Sequence, residues 1–131
     1  MISPLQAFLT EESGKPKERE VVISERLKDH PFKIRTLKLS EYEEIRKQSV
    51  VHDGDNDRAD GTEMARNICI TGCIEPDFKD AEWLSNCGCV TPAQQLDKVL
   101  DAGEVLNLSN EILSASGFNS DMDRLKKKAK N

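Results

Sequence analysis

No apolar stretch in this 131-residue chain approaches the ~20 residues that a membrane-spanning helix requires, which excludes a bilayer crossing by a helix. Residues 1–10 have neither a basic leader nor an apolar segment long enough for export, so the expected location is the cytoplasm. Excess positive charge is also missing. Nineteen Lys and Arg stand against 24 Asp and Glu, a net charge of -5 with a pI near 5.1. Nucleic-acid affinity rests on concentrated Lys and Arg, so DNA and RNA are not expected partners. The chain has no glycine-rich phosphate loop and no Gly-x-Ser-x-Gly turn. Its two histidines, His30 and His52, fall in predicted turns, outside any motif that would set them beside a nucleophile. Nothing nominates an enzyme, and what remains is a protein that works by surface contact.

Four cysteines in a reducing compartment are expected as free thiols. Cys69 and Cys73, spaced i, i+4 on a helix, together with Cys87-Gly-Cys89, would give a zinc ion four thiolates. Structural zinc pairs are usually separated by two residues, and neither of these spacings matches. The plainer reading makes Cys69 and Cys73 small buried hydrophobes and Cys87 and Cys89 exposed or half-buried thiols. Asp53, Asp55 and Asp57 occupy the first, third and fifth places of a calcium loop. Arg58 stands where that loop needs Gly and Met64 where it needs a bidentate Glu, so the segment is expected to be a solvated connector.

What the chain does have is helix punctuation. Asp60 precedes Glu63, Thr91 precedes Pro92 and Gln94, Asp101 precedes Glu104, and Asn119/Ser120 precede Asp123. A polar residue three places ahead of a carboxylate or amide satisfies the unpaired N–H groups of a first turn, so each pair marks a helix start. With 37% hydrophobic and 33% charged residues, a chain of this length buries one modest core.

Along the chain, Ile2, Leu5, Phe8 and Leu9 approximate one face of a short helix. Residues 11–19 contain Gly and Pro and nothing apolar, and read as a linker. Residues 1–19 are therefore expected to be a mobile arm and tether on a single domain of residues 20–131. Val21, Val22 and Ile23 form a β-branched run, and Phe32, Ile34 and Thr36 alternate with Lys33, Arg35 and Lys38, which predicts a β-hairpin within residues 20–39. A lone hairpin is marginal in water, so this one should lie on the helices.

Residues 40–131 read as helical. Ser40 with Glu43 predicts a cap for a helix to about Gln48 that carries Tyr42 and Ile45 on one side. A second helix, about Gly61 to Ile74, puts Met64, Ala65, Ile68, Cys69, Gly72 and Cys73 on one stripe. Glu75-Pro76-Asp77 stops it, and Asp77 or Asp80 caps a short helix with Ala81, Trp83 and Leu84 that ends at Gly88. Leu96, Val99 and Leu100 repeat at helical spacing, as do Val105, Leu108 and Ile112, with Gly117 as the stop. A last helix from near Ser120 runs from acidic to lysine-rich, which complements the helix dipole. The expected fold is mainly α within α+β: an N-terminal β-hairpin packed on a compact array of about five short helices.

The order of these features resembles the XkdN-like family of tail assembly chaperones, found in phages and prophages with contractile tails. The resemblance runs through Leu5-Gln-Ala-Phe-Leu9, Val21-Val-Ile-Ser-Glu-Arg26, Phe32-Lys-Ile-Arg35 and Cys73-Ile-Glu-Pro-Asp-Phe-Lys-Asp-Ala-Glu82. It continues through Thr91-Pro-Ala-Gln-Gln-Leu96, Leu100-Asp-Ala-Gly-Glu104 and Ser116-Gly-Phe-Asn119. The chain departs from the family pattern at Trp83 to Cys89, where Asn86-Cys-Gly-Cys89 replaces an expected Tyr-Gly pair.

The resemblance implies a non-catalytic factor of the bacterial host cytoplasm, absent from the mature virion. Its implied partners are the tape measure protein, which it keeps soluble, and the tail tube protein, whose assembly around that client it assists. Coating a long client invites many copies, so weak self-association is expected, although no heptad seam supports it. Docking of a helix in a groove is the expected mode, with Leu5, Phe8 and Leu9 contacting the client or shielding a groove on the body. The equally open alternative is that they pack on their own core. A helical adaptor for an unrelated partner and a small zinc domain are the other classes consistent with the residues.

Overall fold

The computed structural model describes residues 3–10, 14–54 and 56–118. The final helix expected from near Ser120 lies outside them. The elements are α1 (Pro4–Thr10), β1 (Glu18–Val21), β2 (Phe32–Arg35), α2 (Leu39–Gln48), β3 (Val50–Asp53), β4 (Asn56–Ala59), α3 (Gly61–Gly72), β5 (Cys73–Glu75), α4 (Ala81–Asn86), α5 (Pro92–Val99) and α6 (Ala102–Ala115). An α+β fold results, with the hairpin β1-β2 joined by β5 in a three-stranded antiparallel sheet and five helices following it.

Local chemistry explains most helix starts. The Asp60 carboxylate accepts the N–H groups of Thr62 and Glu63 at 2.9 and 3.0 Å, and Asp80 accepts that of Trp83 at 2.9 Å. Thr91 and Gln94 exchange the two bonds of a capping box, and Glu104 Oε1 accepts the Asp101 N–H at 2.8 Å. The cap expected at Ser40 and Glu43 is displaced. Helix α2 begins at Leu39, and Glu41 accepts the Lys38 N–H at 3.1 Å while Arg35 grips its carboxylate at 3.1 and 2.6 Å. The arginine of the neighbouring strand fixes where that helix starts.

Three other expectations are corrected. The first strand is Glu18–Val21 rather than Val21–Ile23; pairing of Glu18 with Arg35 and Val21 with Phe32 sets the register. Residues 53–60 are not simply a connector, because β3 and β4 form a second hairpin, with Val50 opposite Ala59 and Gly54 at φ 66° in the turn. This places His52 in a strand. The helix begun at Gly61 stops at Gly72, and Cys73–Glu75 pairs with β2.

Phe32 and Ile34 of β2 point inward to join Ile68 and Cys69 of α3, Leu96 of α5 and Val105, Leu108 and Ile112 of α6. Phe78, between β5 and α4, is fully buried and lies 5.4 Å from the Trp83 ring. Helix α3 meets α6 closely enough that a Cβ at Gly72 would lie 2.6 Å from Ile112 Cγ2. A side chain there would have to displace Ile112.

A charged clasp fixes the hairpin to α6. Arg26, in the β1-β2 connection, donates to both oxygens of the Glu104 carboxylate at 2.7 and 2.6 Å and to the Val99 carbonyl at 2.8 Å. Ser24 Oγ adds a donor to Glu104 at 2.6 Å, and Asn107 donates to the Ile23 carbonyl. Glu104 is buried, but these donors hold its pKa down to about 2, Arg26 foremost, against the burial that opposes ionisation. At the far end of α6, the Leu37 N–H donates to Ser116 Oγ at 2.9 Å.

Candidate partner-binding surface

Helix α1 has a local reason to form: Ser3 Oγ accepts the Gln6 N–H at 3.2 Å, and Gln6 Oε1 accepts the Ser3 N–H at 3.0 Å. Its apolar stripe turns outward. Leu5 is 65% exposed, Phe8 64% and Leu9 74%, and no α1 residue belongs to the core. Other exposed apolar residues, such as Val22, Leu39 and Val90, are scattered in the chain and of the ordinary kind.

Among the described residues, a groove of about 370 Å³ with an apolar floor lies between α3, α5 and α6. Ala65 and Ala102 are small enough to leave the space, and Leu100, Val105 and Leu106 line it. Leu106 is 53% exposed. At the rim, Arg66 of α3 donates through Nε to both Asp97 oxygens of α5 at 3.0 and 3.1 Å, and through Nη1 to Glu63. The Asp97 hydrogen bond, opposed by burial and supported by Glu63, raises the Arg66 pKa above its ordinary value. Arg66 therefore bridges two carboxylates at the groove mouth, a cluster of net charge -1. The sequence stripe Val105, Leu108, Ile112 did not include Leu106. An apolar residue one position off a buried stripe is the signal that would have found it.

The cysteines lie in two places. Cys69 donates its S–H to the Val105 carbonyl at 3.3 Å in the core, where burial pushes its pKa far up; burial raises Cys73 to about 12. Cys87 and Cys89 are half-buried after α4, where Cys87 Sγ accepts from Gln95 Nε2 at 3.4 Å and Lys98 donates to the Cys87 carbonyl. Among the described residues, no three His, Cys, Asp or Glu side chains converge in a way that would hold a metal ion. His30 and His52 are both exposed, and His52 pairs with Asp57 through Nδ1 at 2.5 Å. No helix among the described residues is long and apolar enough to cross a membrane.

The described residues form a body of short capped helices behind a small sheet, with an apolar stripe exposed on the first helix. Over residues 5–130 the chain matches the family described as Phage XkdN-like tail assembly chaperone protein, and it belongs to that family. It is 25% identical over 138 residues to the Phage-like element PBSX protein XkdN of Bacillus subtilis (strain 168), covering 97% of this chain and 93% of that protein. Its fold is similar to the crystal structure of the protein yqbn, with a TM-score of 0.67 and 22% identity over 91% of this chain and all of that one.

Proposed function

We propose that this tail assembly chaperone is a non-catalytic factor that binds the tape measure protein, keeps it soluble and assists assembly of the tail tube around it. The observation that carries this reading is the family match over residues 5–130, joined to an apolar stripe on α1 in which Leu5 and Leu9 are exposed among the described residues. A tape measure protein is a long chain whose apolar helical faces need cover until the tube encloses them. A short apolar helix on a tether supplies such cover and lets go without unfolding the body. In this reading Leu5, Phe8 and Leu9 touch the client, α1 and the tether after it act as an arm, and the body from β1 onward is one domain. The work is done in the bacterial host cytoplasm, and the protein leaves before the virion is complete. Nucleic acid and membrane have no part in it.

Co-expression with the tape measure protein from the same tail gene cluster tests this. The wild-type chain should recover that protein in soluble form, and the Leu5→Ser/Leu9→Ser variant should lose most of that recovery. Unchanged recovery by a folded variant removes the arm from the mechanism. Failure of the wild-type chain to recover or solubilise the tape measure protein removes the client.

A further inference from the structure

We propose that Cys87 and Cys89 are a dithiol site that closes to an intramolecular disulfide by exchange with a low-molecular-weight disulfide, and that closing it loosens the joint between α4 and α5 through Gln95. The turn after α4 brings the pair together. The Gly88 N–H donates to the Ser85 carbonyl at 3.1 Å and the Cys89 N–H to the Leu84 carbonyl at 2.9 Å, the two bonds of a Schellman stop, with Gly88 at φ 69°. A left-handed glycine mirrors helical geometry, so the Cα atoms on either side of it stand about 5.4 Å apart, inside the range of about 4.4–6.8 Å that a disulfide spans. The Cys89 S–H folds back to the Cys87 carbonyl at 3.8 Å, and both thiols are half-buried. Cys69 and Cys73 are enclosed in the core, which confines exchange to this turn.

The joint is built on Cys87. Lys98 of α5 donates to its carbonyl, and Gln95 of α5 donates through Nε2 to its sulfur at 3.4 Å. Gln95 is fully buried, and among the described residues its Oε1 has no partner. Turning the amide over only exchanges which atom is left out, because a thiol both accepts and donates. Half of a buried amide thus depends on one thiol. A disulfide sulfur has no proton to give, and to reach Cys89 at about 2.05 Å the Cys87 sulfur must turn off the Gln95 amide. Both polar atoms of Gln95 are then unpaired in the interior, which is where a missing hydrogen bond costs most.

The exchange balances. One cysteine, as thiolate, attacks a sulfur of the small disulfide, forming a mixed disulfide and expelling a thiolate. The other cysteine attacks the protein sulfur of that bond and expels the second thiolate. Two cysteines lose two electrons, the small disulfide gains them, and the two thiol protons pass to the released thiolates. In a reducing compartment the site rests open, and it closes when small disulfides accumulate.

Reduced full-length protein treated with excess oxidised glutathione, quenched with acid and weighed by mass spectrometry tests the closure. The protein should lose the mass of two hydrogens, and peptide mapping should place the bond between Cys87 and Cys89 with Cys69 and Cys73 free. Cys89 in the Cys87→Ser variant should instead stop at the mixed disulfide. Thermal melts test the joint: oxidation should shift the wild-type midpoint at least about 3 °C further down than it shifts that of Gln95→Met, which has no amide to leave unpaired. Constraint of the short loop acts on both proteins alike and cancels in that difference. Absence of closure overturns the proposal, and so does a stable mixed disulfide on each thiol. Equal shifts in the two closed proteins overturn the coupling through Gln95.

Discussion

Arg26 and Glu104, 78 positions apart in sequence, join through both carboxylate oxygens, at 2.7 and 2.6 Å. Each oxygen has a further donor, Ser24 Oγ on one and the Asp101 N–H on the other, so the buried carboxylate is fully satisfied. This is the condition under which burying a charge is tolerable, and it makes the pair intolerant of losing one member.

Glu104→Gln should therefore destabilise the fold by about 2–3 kcal/mol at neutral pH, measured by urea denaturation. The folded pKa, about 2, lies below the ordinary 4.5, so the ionised form is the stabilising one. Its contribution is complete above about pH 4.5 and is lost as pH falls from there through about 2. The gap between wild type and variant should shrink across that window. A gap that persists unchanged at the acid end would show that the clasp acts through shape rather than charge.

Gly72→Ala should cost about 1–3 kcal/mol, because the new methyl meets Ile112 at Cγ2 as well as at its Cδ1 tip, 2.6 and 2.9 Å away, so the whole side chain must shift. The same substitution in an Ile112→Ala background should cost less, since the obstructing atoms are gone. Thermal denaturation of the four proteins in that cycle measures the coupling.

At pH 8, a thiol reagent should label Cys87 and Cys89 in the native protein and spare Cys69 and Cys73. Both spared thiols are buried, and with a pKa raised from 9.0 to about 12 the thiolate fraction of Cys73 falls about a thousandfold. Denaturation should release all four. Rapid native labelling of Cys69 or Cys73 would mean that the α3-β5 junction opens on the timescale of the reaction.

Leu5→Ser/Leu9→Ser should leave stability within about 0.5 kcal/mol of wild type, as expected for exposed positions. A larger loss in the melt would show that α1 packs on its own body in solution.

The helix caps were legible because their chemistry is local: Asp60, Asp80, Thr91 and Asp101 each stand within three residues of the groups they organise. What sequence missed was set by partners on neighbouring elements or strands. Helix α2 starts at Leu39 because Arg35 and the Lys38 N–H converge on Glu41. Strand β1 begins at Glu18 because β2 fixes its register, although Glu18 and Arg19 read as linker. The β3-β4 hairpin did announce itself through Asp53-Gly54 after Val50 and Val51, a signal obscured by the acidic composition around it. Of the candidate surface, the α1 stripe was visible as spacing. The groove was not, since it depends on how Ala65, Ala102 and Leu106 meet from separate helices.

Some of the bonds that fix the first hairpin and its exit reach far along the chain: Ser24 and Arg26 to Glu104, and Leu37 to Ser116. During translation, the hairpin and everything up to α5 must leave the ribosome before their anchors exist. The opening third of the protein therefore waits, only partly docked, for its closing quarter, and a transcript cut short before α6 yields a chain that itself needs a chaperone.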